Sequence, residues 1–360
     1  MLSYWLLFSV ISFFAILSKK RVPLQLNGHH DSSLTIVWWI VVLFLTILIG
    51  FRHEVGGDWT NYIRQLQRLS VYDISESFTM LGDPGYNLLS YASLALGWGV
   101  YGVNIFCGFI FSIGLATFCR SLPRPLLALA VAFPYMVIVV AMGYSRQGVA
   151  LGISMLALVY LVREKKLKFT LLILLAATIH KSSFLLLPIA ALASTKNRLL
   201  IFLAFGIIIG FVYYIFLSSA YEKLITNYIE SQYSSQGAFI RLLMNAVPSA
   251  LFLIWNHRFN LPDSDRALWK IFAYISLLLL ALLFLTNAST ALDRIGLYML
   301  PIQLVVFAYL PEIFGDRGSI NQWIVLGIIG YYSLVLFIWL TFSTHSALWL
   351  PYQNLLLSAV

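Results

Sequence analysis

The stretch Phe51-Arg52-His53-Glu54-Val55-Gly56-Gly57-Asp58-Trp59-Thr60-Asn61-Tyr62 sets a guanidinium, an imidazole and two carboxylates beside a Gly-Gly pair that lets the backbone turn tightly. Arg146, His180, Lys181, Arg241, Asp293 and Arg294 add to this set further along the chain. A planar guanidinium fork grips phosphate or carboxylate oxygens in a bidentate manner. Fixed cations of this kind stabilise negative charge that develops on a leaving group. His180 has the intrinsic pKa of a general base, and Asp58 and Glu54 are alternatives. A second reading makes His180 a polar hinge that satisfies exposed backbone. Any one of the arginines is also accounted for as an anchor snorkelling to lipid headgroups. Anchors, however, have no reason to keep company with His53, Glu54, Asp58, His180 and Asp293. The acidic residues among them form no Asp-x-Asp pair and no His-x-x-His spacing occurs, so a metal site is the weaker reading, with Asp58 and His53 the pair that would hold a divalent ion; no metal or cofactor is expected.

These residues must be positioned by a very apolar chain. Of its 360 residues 61% are hydrophobic and 10% charged, and mean hydropathy is +0.87. Soluble domains carry roughly 25% charged residues, so an ordinary water-soluble globule is excluded. The net charge of +9 comes from 23 Lys and Arg scattered in small groups between apolar runs. That pattern reads as membrane topology, not as a nucleic-acid face. Cys107 and Cys119 share one apolar run and would lie roughly 18 Å apart along a helix, too far for a mutual disulfide.

The expected fold is an all-α polytopic membrane protein, residues 1–360 forming one integral domain with about 12 transmembrane helices. Spans are expected near Ser3 to Ser18, Leu34 to Phe51, Tyr101 to Cys119, Pro125 to Met142, Arg146 to Val162, Phe169 to Ile179, Ser182 to Ala193, Leu199 to Leu217, Ile240 to Trp255, Trp269 to Leu285, Arg294 to Leu310 and Gln322 to Thr341. The first is read as a retained span, because Lys19-Lys20-Arg21 follows the apolar run instead of preceding it. Residues 85–99 are too short and Gly-interrupted to cross comfortably and are read as an interfacial or re-entrant helix. Residues 52–84 and 218–239 are read as outer loops and 257–268 as an inner one. With Lys19-Lys20-Arg21 inside, alternation keeps most basic groups inside. It leaves Arg52, Arg64, Arg68, Arg146, Lys181, Lys223, Arg241 and Arg294 outside. The short hairpin around His180-Lys181-Ser182-Ser183 has the interrupted character of binding sites within membranes. Tyr62, Tyr86, Tyr91, Tyr101, Trp59 and Trp98 suit either stacking on sugar rings or an interfacial aromatic belt.

The chain resembles the EpsG-like and Wzy-type polysaccharide polymerases of bacterial exopolysaccharide and O-antigen synthesis. The likeness runs in order through Phe51-Arg52, Val55-Gly56-Gly57-Asp58-Trp59 with Tyr62, and Tyr144-Ser145-Arg146-Gln147-Gly148. It continues through Ile179-His180-Lys181-Ser182-Ser183, Arg241-Leu242-Leu243 with Pro248, Asp293-Arg294 with Tyr298, and Pro351-Tyr352. Many members have Thr where this chain has Gly57. The resemblance implies an inner-membrane glycosyltransferase with a GT-C-like bundle, working on the periplasmic side without nucleotide sugars. A growing glycan on undecaprenyl diphosphate would pass to another lipid-linked repeat unit, with release of undecaprenyl diphosphate. Carried onto this chain, Arg52, Arg146, Arg241 and Arg294, with Lys181 and Tyr62, would hold the diphosphate or neighbouring sugar. His180 or Asp58 would serve the acceptor. Partners would be the lipid-linked oligosaccharide, membrane lipids and a protein that sets chain length.

Two other classes compete. A lipid-linked oligosaccharide flippase would want charges on both leaflets and a repeat relating its halves, whereas the pairable charges here are biased to one face. A membrane acyltransferase would want its essential His near a donor arriving from the cytoplasm, while His180 is expected outside. The topology has a direct check. A cysteine placed at position 58 should be labelled from the periplasm in intact cells, and labelling only after permeabilisation of the inner membrane would reverse the orientation.

Overall fold

The computed structural model describes residues 1–18, 34–71, 83–194, 237–286, 289–315 and 320–358, together with positions 203, 206 and 210. Its described elements are all helical. They are α1 (Leu2–Leu17), α2 (Ile36–Gly50), α3 (Trp59–Leu69), α4 (Pro84–Ala95), α5 (Gly99–Arg120) and α6 (Pro125–Ala132), which continues as a π-helix (Phe133–Ala141). Next come α7 (Ser145–Val162), α8 (Lys166–Ile179), a 3₁₀ turn (Lys181–Leu185) and α9 (Leu186–Ser194). The C-terminal part holds α10 (Ala238–Trp255), α11 (Asp263–Leu285), α12 (Ser289–Gly296), α13 (Pro301–Ile313), α14 (Gln322–Phe342) and α15 (Leu355–Ser358).

Five of these segments are long and apolar enough to cross a membrane by length and composition: Gly99–Arg120, Ser145–Val162, Ala238–Arg258, Asp263–Leu285 and Gln322–Phe342. Ser289–Met299 and Pro301–Ile313, bent by 46° at their break, make a sixth if taken as one span. Leu2–Leu17, Ile36–Gly50, Pro125–Ala141 and Lys181–Leu192 are shorter apolar helices. The chain is therefore a helical membrane protein. Most of the expected span at Leu199 to Leu217 and most of the 218–239 loop lie outside the described residues.

Two compact units divide the chain, Met1–Ser183 with Phe307–Val360, and Phe184–Val306. In the first, α5 packs on α2 and α7, α7 on α8, and α1 and α14 on α6. Close approach of α5 and α7 depends on Gly114 and Gly152, since a Cβ on Gly114 would strike the Gly152 carbonyl. Small residues at such contacts let membrane helices pack backbone to backbone. At one end of this unit Arg124, wholly buried, donates to the carbonyls of Ala15 and Ser18 at 3.2 and 3.0 Å and so closes the C-terminus of α1.

At the other end the 52–84 segment is more than a loop, because it carries α3. Trp59, Tyr62, Leu66 and Leu69 form that helix's buried stripe, a helical spacing with polar residues between. The 12-residue α4 begins with Pro84 at its first position and buries Tyr86, Asn87, Ser90 and Ser93. Tyr62, Leu66, Tyr86, Val103, Cys107, Val149, Ala150, Ile153, Ala176 and Ile179 share one core cluster that joins α3 and α4 to the tops of α5, α7 and α8. Both cysteines are buried and free.

In the second unit α10 and α11 pack against each other, with α9 on α11 and α12 on both α10 and α11. The break before Pro301 is satisfied from within. The Leu300 amide turns to the Leu297 carbonyl, and Asn245 Nδ2 donates to the Gly296 carbonyl at 2.7 Å. Gln303 Nε2 in turn donates to Asn245 Oδ1 at 2.7 Å. Backbone groups freed by a helix break in a membrane need such partners.

Candidate functional site

The site is built on the turn that follows α2. Gly56 has φ +110, and a Cβ there would strike the Met142 carbonyl, so only glycine brings this turn against the residues leading into α7. The Asp58 amide then donates to the Gly143 carbonyl at 3.3 Å. The 56–58 backbone and the start of α7 are thus locked together.

Arg52 is only 1% exposed. Its Nε donates to the Val55 carbonyl at 3.1 Å, Nη1 to the Ile49 carbonyl, and Nη2 to Asn104 Oδ1 at 2.8 Å and Ser145 Oγ at 2.7 Å. The guanidinium therefore ties the end of α2, its own turn, α5 and α7. Four of its five donors are consumed by the protein. On the other side of the turn, His53 Nδ1 lies 2.6 Å from Tyr101 Oη, and Trp59 packs edge-on against both rings.

Arg146 has a different setting. It stands in the first turn of α7 with its side chain 36% exposed, 3.5 Å from Asp83 Oδ2. Its guanidinium carbon lies 6.0 Å from the Tyr62 ring centre and 5.7 Å from that of Tyr86. Each such contact contributes about 0.5–2 kcal/mol and orients the guanidinium without occupying its donors. Tyr62 and Tyr86 are both buried, so they form a shelf for Arg146. Tyr62 Oη donates to Asp58 Oδ2 at 3.3 Å, and Asn61 Nδ2 to Asp58 Oδ1 at 3.3 Å. Burial raises the Tyr62 phenol well above its ordinary value, the Asp58 charge adds to this, and Arg146 opposes it. Tyr62 therefore stays a neutral donor.

Asp83, at the start of α4, is the residue that sequence reasoning missed. It lies 3.5 Å from Arg146, and the charges of Arg146 and Lys181 both act on it. Its signal was the Asp83-Pro84-Gly85-Tyr86 run, a cap residue before a helix-starting proline. Gly85 lets α4 close on α8, since a Cβ there would meet Thr178 Oγ1. His180 is half-buried at the end of α8, and its carbonyl accepts from the Ser183 amide and hydroxyl, each at 3.1 Å. Lys181 is exposed.

Of the residues singled out from sequence, the first unit gathers Asp58, Tyr62, Arg146 and Lys181 around Tyr86 and Asp83, with His180 next to Lys181 in the chain and Arg52 buried beside the start of α7. Arg241 and Arg294 belong to the second unit. There Arg241 forms a bidentate pair with Asp293, Nε to Oδ1 at 2.7 Å and Nη2 to Oδ2 at 2.8 Å, while Arg294 on the same helix as Asp293 is exposed.

Two outcomes are expected. Arg52→Lys should lower the melting temperature of the purified protein, because an ammonium cannot span these acceptors and each one left bare costs about 1–3 kcal/mol. An unchanged melting temperature would show the fork to be dispensable. Burial also pushes the Asp83 carboxyl above its ordinary value, with Arg146 and Lys181 opposing this in part. The folded chain then holds that proton more tightly than the unfolded chain, so the stabilisation is complete below the ordinary carboxylate value and is lost as pH rises through the raised one. Relative to Asp83→Asn, the wild type should gain stability as pH falls through that window. A difference that does not vary with pH would contradict the burial.

A model of the EpsG family matches residues 35–354. No curated protein and no solved structure matches the chain. The matched span runs from the start of α2 through Asn354, taking in the Gly56 turn, Asp83, Arg146 and the hairpin at His180, and the chain belongs to the EpsG family, the EpsG-like polysaccharide polymerases.

Proposed function

We propose that this membrane protein is a glycosyltransferase joining undecaprenyl-diphosphate-linked oligosaccharide repeat units at the periplasmic face of the inner membrane, within a bundle of about 12 crossings. Arg146 carries the reading. It is a partly exposed guanidinium at the start of a long helix, held from behind by two tyrosine rings and beside one carboxylate, on which the Lys181 charge also acts. A helix N-terminus with a cation on its first turn is suited to phosphate oxygens at headgroup level.

In the proposed reaction the acceptor hydroxyl oxygen bonds to the anomeric carbon of the growing glycan. The bond from that carbon to the diphosphate oxygen breaks, and its electron pair leaves with the diphosphate. Arg146 and Lys181 stabilise that charge as it develops. The hydroxyl proton passes to Asp58 or His180. Asp58 is already half-buried and oriented by Tyr62 and Asn61. Arg52 enters this proposal as the brace of the site instead of a ligand, since it is buried and four of its five donors are spent within the protein. In the second unit Arg294 is the exposed cation offered to lipid-linked substrate, and Arg241 holds Asp293 beside it in sequence.

Arg146→Ala and Arg294→Ala should abolish polymer in cells while single repeat units still appear on the surface. Loss of all surface glycan would favour a flippase instead, and full-length polymer from Arg146→Ala would remove the basis of the assignment.

A further inference from the structure

The segment after α14 turns back and lies along the turn that carries the site. The Gly56 amide donates to the Leu348 carbonyl at 2.9 Å, the His53 amide to the Gln353 carbonyl at 3.0 Å, and the Leu355 amide to the Phe51 carbonyl at 2.8 Å. Tyr352 Oη donates to the Leu48 carbonyl at 2.9 Å. Trp349 sits at the centre of this clasp and is wholly buried, at 0% exposure. Its indole N–H donates to the Ile138 carbonyl in the π-helix at 2.8 Å, and its own carbonyl accepts from Tyr4 Oη at 3.0 Å.

The Trp349 ring meets that of Trp339 edge-on at 5.4 Å between centres, and it also packs against two glycines. A Cβ built on Gly143 would collide with the six-membered ring, and one on Gly57 would lie 3.7 Å from it. Gly57 immediately precedes Asp58, and Gly143 stands three residues before Arg146. The ring therefore fills the notch between the backbone that carries the carboxylate and the backbone that carries the cation. The indole bond to Ile138 and the bond from Tyr4 to the Trp349 carbonyl hold the ring in that notch.

We infer that Trp349 is a positioning residue for the polymerase site, setting the separation of Asp58 and Arg146 through ring contact with Gly57 and Gly143. The inference rests on the reading of Asp58 and Arg146 given above. Ring size must then match the space at Gly143, and the two positions are coupled. Misplacement of reacting groups by about 1 Å costs roughly 100-fold in rate.

The test is a double-mutant cycle on the full-length protein, scored as polymer formed per folded molecule and as hydrogen exchange at the Gly56 and Asp58 amides. Gly143→Ala should raise exchange at both amides and reduce polymer by roughly 100-fold. Trp349→Phe, which withdraws the outer ring and the indole N–H, should reduce polymer with a melting temperature near that of the wild type. The pair Gly143→Ala/Trp349→Phe should regain most of what Gly143→Ala loses, because the new methyl occupies space the shorter ring vacates. Losses that simply add in the double variant, or wild-type polymer from Trp349→Phe, would overturn the inference. So would coupled amide exchange without a change in polymer. Arg146→Ala, measured alongside, reads the polymerase assignment separately, since full polymer from that variant would fail the assignment whatever the cycle shows.

Discussion

The buried guanidinium of Arg52 is the constraint on which the working end of the first unit depends. A cation with 1% exposure is costly to bury unless most of its donors are met, and four of the five on Arg52 are. Its partners here come from the last turn of α2, the turn after it, Asn104 on α5 and Ser145 on α7. Each acceptor fixes a piece of chain that would otherwise end loosely: the Ile49 carbonyl has no intrahelical partner of its own, and Ser145 opens α7. The backbone of the same residue bridges to Asn354. One residue thus closes a helix, shapes a turn, aligns two spans and receives the C-terminal segment.

Arg146 shows why charge type alone does not assign a role. Both arginines lie beside the start of α7, and Ser145, the immediate neighbour of Arg146, is a ligand of Arg52. Successive residues on a helix point about 100° apart, so one turn presents a hydroxyl inward to the brace and a guanidinium outward to the tyrosine shelf. The inward group is satisfied by hydrogen bonds. The outward one is oriented by π-faces that leave its N–H groups for another partner. That division of labour is what makes a ligand at Arg146 reasonable and one at Arg52 not.

Much of this was legible in the sequence and some was not, for physical reasons. Apolar runs located the helices, because membrane-embedded backbone must bond to itself. The stripe of Trp59, Tyr62, Leu66 and Leu69 was readable as a helix within what was taken for a loop. The role of Asn104 and Ser145 is not readable locally, because their shared partner Arg52 is distant in sequence. The same holds for Trp349, which meets Gly57 and Gly143 across most of the chain. Asp83 was hidden differently. The Asp83-Pro84 pair marks a helix start, but its importance comes from lying beside Arg146 within reach of the Lys181 charge, a juxtaposition made by α4 closing on α8 through Gly85.

Asp83 also bears on turnover in the proposed reaction. Arg146 and Lys181 alone would go on holding the diphosphate after the bond breaks, and slow release of product sets the turnover of many enzymes. The Asp83 carboxylate beside Arg146 cancels part of that field at rest. It is a weak partner for Arg146, at 3.5 Å with a partly exposed side chain opposite, and so yields readily to an incoming phosphate and competes again once the product's sugar is gone. Burial disfavours its charge, which keeps the competition gentle. The arrangement therefore favours charge that appears in the transition state over charge that lingers on the product, as a polymerase repeating its reaction on every added unit requires.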